Sequence, residues 1–112
     1  MALNTNKELL SSTTTVTCFD KYGEKHCIPV ANVCYERIVE TVERFKKDLA
    51  DLDSNDLERA CILTLKYSAK ITSYFKSLYD IGLYNYYEAH IITEHFRKQI
   101  STIYENWIDT IW

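Results

Sequence analysis

Apolar residues recur through the last quarter of the chain at the spacing of one helical face. Over residues 85–111, Ala89, Ile92, Phe96, Ile100, Ile103, Trp107 and Ile111 fall within an arc of roughly 100° when wound as an α-helix. Tyr87, Ile91, Ile108 and Trp112 lie between that stripe and the charged face. A surface helix needs one apolar face only, so these extra groups predict a second neighbour for it.

Two earlier segments carry the same period. Over residues 31–52, Ala31, Cys34, Ile38, Val42, Phe45, Leu49 and Leu52 make a narrow seam, the last five in alternating steps of four and three as in a coiled coil. Glu40 with Arg44 and Glu43 with Lys47 form i,i+4 pairs on the opposite, solvated face. Over residues 55–79 the arc is wide: Leu57, Ala60, Cys61, Leu65, Ile71, Phe75 and Leu78, flanked by Leu63, Tyr67 and Tyr74. That width predicts a helix touched on two sides. Ser54 or Asn55 is the expected cap of this second helix, Gly82 its stop, and Asn85 with Glu88 a variant capping box that opens the third.

The N-terminal part has another character. Residues 1–13 are polar and read as a tail outside the domain of residues 14–112. Residues 14–30 are rich in Thr and Val, alternate loosely, and hold Tyr22-Gly23 at their centre. Taken as a two-residue turn, Tyr22-Gly23 predicts a hairpin pairing Lys21 with Glu24, Asp20 with Lys25, Phe19 with His26 and Cys18 with Cys27. A lone hairpin is marginal in water, so it must lean on the helices. The expected fold is mostly α: an antiparallel three-helix bundle with an N-terminal β-hairpin.

Composition narrows this picture without redrawing it. With 112 residues, 46% hydrophobic and 26% charged, the chain can bury a core of its own. Two Gly and one Pro agree with few turns and long elements. No stretch has the length and apolarity of a membrane span, and the opening Met-Ala-Leu-Asn-Thr-Asn lacks a basic region followed by an apolar run. A cytoplasmic protein with reduced thiols is expected. The net charge of −3 weighs against a generic nucleic-acid coat.

Candidate chemistry is sparse. Cys18, His26, Cys27 and Cys34 gather the residue types of a zinc site, but His26 and Cys27 are sequential on a strand and point to opposite faces. Cys18, Cys27 and Cys34 are therefore weak metal ligands. In the two-residue-turn register Cys18 and Cys27 face each other, which allows a disulfide under oxidation and plain apolar contact otherwise. The run from Asp51 imitates half of a calcium loop, then fails with Asp56 at the glycine position and Ile62 at the glutamate position. His90 and His95 diverge by roughly 140° on one helix and cannot share an ion there. With no phosphate loop and no nucleophile–histidine spacing, neither catalysis nor a cofactor is expected.

Two surfaces remain. Helix two carries Arg59, Lys66 and Lys70 beside Tyr67 and Tyr74, a strip that would take phosphates and stack bases. The heavier reading of that strip is an ordinary solvated face. The nine tyrosines are the more unusual feature, and Tyr79, Tyr84, Tyr86 and Tyr87 cluster around the second connection. Tyrosine is enriched at interfaces because it brings large contact area at small entropic cost. The expected function is a small non-catalytic protein-interaction module, an inhibitor or adaptor of the phage or mobile-element kind by analogy of architecture alone. Its predicted binding residues are Tyr84, Tyr86, Tyr87, Ile91, Ile108 and Trp112, with homodimerisation through the last three. Nucleic-acid binding through helix two is the alternative.

Overall fold

The computed structural model describes residues 12–111. Two strands, β1 (Thr13–Phe19) and β2 (Lys25–Ala31), are followed by helices α1 (Asn32–Ala50), α2 (Leu57–Asp80) and α3 (Tyr86–Ile111). This is the expected three-helix bundle with an antiparallel hairpin at its N-terminal side. The expected tail, residues 1–13, lies outside the described residues except for its last two, and of these Thr13 already belongs to β1.

The hairpin register differs from the expected one by a single residue. Cys18 pairs with His26, Thr17 with Cys27 and Phe19 with Lys25. The cause is the turn, which has three residues between Asp20 and Glu24 instead of two. The Gly23 N–H donates to the Asp20 carbonyl at 3.0 Å, and Gly23 itself sits at φ +79°. That is a type I turn closed by a left-handed residue, a position that favours glycine. The Asp20 carboxylate secures it by accepting from the N–H groups of Tyr22 and Glu24, both at 2.9 Å. A one-residue slip exchanges the faces of a strand. Cys18 is therefore buried against the helices while Cys27 is exposed on the outer face.

On α1 the narrow seam is buried as its spacing demands: Cys34, Ile38, Val42, Phe45 and Leu49. Helix α2 is capped by Asp56, whose side chain accepts from the Arg59 N–H at 3.2 Å; Ser54 and Asn55 stay in the turn. Its end is a Schellman motif. Leu83 N–H reaches the Leu78 carbonyl, Gly82 N–H reaches that of Tyr79, and Gly82 takes φ +81°. The capping box forms as expected, with the Glu88 N–H donating to Asn85 Oδ1 and the Asn85 N–H to Glu88 Oε1. Phe75 and Phe96 stack at 5.7 Å between α2 and α3 and are both buried. Each such ring contributes about 1.5–3 kcal/mol on leaving water.

The bundle is uneven in length. At the rise of an α-helix, the 19 residues of α1 span about 28 Å and the 26 of α3 about 39 Å. Ala89, Ile92, Phe96 and Ile100 of the α3 stripe are buried, whereas Ile103, Trp107 and Ile111, nearer its C-terminal end, are only half-buried. On α2 the expected arc was too wide: Cys61 is exposed and Leu65 is 70% exposed, while Tyr67 is buried. Leu65 points past both neighbouring helices. No helix among the described residues is long and apolar enough to cross a membrane.

Candidate functional site

Strand β1 packs on α3 and brings the hairpin turn against the first two turns of that helix. The contact is polar at its centre. Asp20 Oδ2 lies 2.9 Å from His26 Nε2 and accepts from the Tyr87 hydroxyl at 3.2 Å. The His26 and Tyr87 rings meet edge to face with centroids 5.5 Å apart. The Asp20 carboxyl is held down to about 2, chiefly by the His26 hydrogen bond and then by the Glu24 N–H. Burial raises the Tyr87 phenol, and its bond to Asp20 adds to this. One carboxylate thus shapes the turn through Oδ1 and joins the turn to α3 through Oδ2.

Beside this junction runs a groove of about 790 Å³, within the range of ligand-sized clefts. Phe19 and Tyr22 stand on its hairpin side, Tyr87 and His90 on α3, and Ile91 forms part of its wall. Phe19 is 65% exposed, Tyr22 82%, Tyr86 72% and Tyr87 52%. Tyr86 extends the aromatic surface beyond the groove by stacking on His90 and meeting Tyr79 edge-on. Further along lie Lys21, Glu94, Arg97 and Lys98. Glu94 is paired to Arg97 at 3.6 Å, and the remaining lysines of the lining, Lys21 and Lys98, outnumber its one other carboxylate, Asp20. His95 lines it too, edge-on to Phe96, with burial first and Lys98 second holding its imidazole below the usual histidine range.

The predicted binding residues separate into three groups. Tyr86 and Tyr87 are displayed. Tyr84 and Ile91 are not: Tyr84 is buried with its hydroxyl donating to the Pro29 carbonyl at 3.0 Å, and Ile91 is buried where the hairpin covers α3. The second neighbour that the surplus apolar groups of α3 required is, on this flank, the chain's own hairpin. Ile108 is half-buried and Trp112 lies outside the described residues, so the dimer surface expected from Ile91, Ile108 and Trp112 loses its first member to the core. Asp20, Phe19 and Tyr22 were missed, and His26 was weighed only in company with the cysteines. The signal for Asp20 was present as an Asp three residues before a Gly, the ends of a type I turn.

The strip on α2 is also rearranged. Tyr67 is buried against Phe45 with its hydroxyl bonded to Asp48, and Lys70 covers its ring at 4.9 Å. Tyr74 is half-buried beside Cys34. Tyr67 is not free to lie on a base, whereas Tyr74 lines a shallow groove with Lys66 and Lys70. Arg59 is tied to Asp56, leaving Lys66 and Lys70 as the strip's cations without a carboxylate among the described residues. Cys18, Cys27 and Cys34 do not converge: among the described residues the metal-capable group is Asp20, Glu24 and His26. No family model, curated protein or solved structure matches this chain.

Proposed function

We propose that this chain is a small non-catalytic interaction module, acting as an inhibitor or adaptor does, that grips a segment of another protein between its hairpin turn and α3. The observation that carries the reading is the exposure of Phe19, Tyr22 and Tyr87 around one groove, with Tyr86 exposed beyond it. Large aromatic side chains in water are costly on an isolated monomer and are the usual anchors of protein interfaces. The charge of the groove adds a preference. Lys21 and Lys98 favour a partner segment whose apolar side chain is followed by carboxylates.

The alternative, nucleic acid on α2, is weakened by the burial of Tyr67, which removes one of the two rings that scheme would stack on bases. Affinity capture from the native host compares the two. Phe19→Ser with Tyr22→Ser alters exposed side chains only, and we expect it to abolish recovery of the partner while Lys66→Glu with Lys70→Glu leaves recovery intact. Nuclease-sensitive capture that survives the first pair and is lost with the second would replace this reading by the nucleic-acid one.

A further inference from the structure

We propose that the hairpin turn is a zinc site formed by Asp20, Glu24 and His26, with Tyr87 supporting it from α3. The three side chains each offer one donor atom, all within 4.8 Å of one another. Asp20 Oδ2 and His26 Nε2 are already 2.9 Å apart. Donors in a tetrahedral zinc site lie about 3.4 Å apart, given bonds of about 2.0–2.2 Å, so this pair is close to ligand spacing before any ion arrives. Glu24 is exposed and closes the remaining gap by rotating its side chain.

The backbone has the rigidity such a site needs. Asp20 Oδ1 is fixed by the N–H groups of Tyr22 and Glu24, which leaves Oδ2 aimed at His26. The Tyr87 hydroxyl, 3.2 Å from that oxygen, is an outer partner of the kind that orients ligating carboxylates. One imidazole and two carboxylates suit zinc and its transition-metal neighbours, whereas magnesium and calcium take oxygen donors. On binding, zinc replaces the proton that Nε2 donates to Asp20 Oδ2, and that proton leaves to solvent or passes to Nδ1, so that Nδ1 carries the single ring proton of the ligated imidazole. Three protein donors leave one position for water, as in open zinc sites, and the groove begins at two of the same residues, Asp20 and Tyr87.

The test is a zinc titration by calorimetry on the untagged full chain carrying Cys27→Ser and Cys61→Ser, which removes both exposed thiols as competitors. We expect one zinc per chain, weakened at least about tenfold by Glu24→Gln, abolished by His26→Ala, and weakened by Tyr87→Phe within the range seen for outer partners. Glu24→Gln changes an exposed group, so its circular dichroism should match the parent and its effect reads binding alone. Absence of zinc uptake by the parent, or uptake that Glu24→Gln and His26→Ala leave unchanged, would overturn the site. The partner reading does not depend on this result, because Phe19 and Tyr22 take no part in the site.

Discussion

At the scale of single residues, the tyrosines divide by the fate of their hydroxyls. Tyr67 donates to Asp48 and Tyr84 to the Pro29 carbonyl, and burial, ahead of neighbouring groups, pushes both phenols up to about 12. A folded-state value raised above the ordinary one of 10.0 means stability that is complete below pH 10 and is lost as pH rises through the folded value of about 12. Ionisation of these two rings is thereby tied to unfolding. In an alkaline titration, tyrosinate absorbance should end in a step that coincides with loss of the helical circular dichroism, between pH 10 and about 12. Full tyrosinate absorbance reached while the helical signal is intact would contradict the burial assigned to them. Among the described residues neither Tyr22 nor Tyr86 has such a hydrogen bond from its hydroxyl, and both are exposed.

At the scale of elements, the helices were legible because one period explains each. The seam on α1, the first half of the α3 stripe and the Asn85–Glu88 box all fall where spacing and capping chemistry place them. The hairpin was legible as a hairpin but not in register, because Tyr22-Gly23 satisfies a two-residue turn while Asp20 and Gly23 satisfy a longer one. The side-chain bonds of Asp20 decide between them, and these depend on where the turn lies against α3. Thiol labelling reads the register directly. In native protein, Cys27 and Cys61 should react with a maleimide, and Cys18 and Cys34 only after denaturation. The burial that withholds Cys18, with Cys27 adding to it, also lifts its thiol to about 11 and so slows it further. Cys18 and Cys27 reacting alike in native protein, both free or both protected, would restore the two-residue turn, which sets them opposite each other on one face.

At the scale of the whole molecule, the hairpin gives the three helices one side that carries a groove. Periodicity within α3 showed that Ile91 needed a cover and could not say whose, because a single helix carries no record of which other element docks on it. The answer is internal, and it moves the candidate surface from the off-stripe isoleucines to the rim of the groove, where Phe19 and Tyr22 of the hairpin stand with Tyr87 of α3. Leu65, 70% exposed, and Ile62, 57% exposed, form a second apolar area, on α2. Everything assigned to the groove requires the turn to sit on the first turns of α3. The direct measurement is a proton NMR cross-relaxation experiment on the purified chain in solution, aimed at the His26 and Tyr87 rings, which are 61 residues apart in sequence. With ring centroids 5.5 Å apart, cross-peaks between them are expected. A spectrum in which His26 connects to hairpin protons alone would separate the turn from α3 and contradict the composite surface.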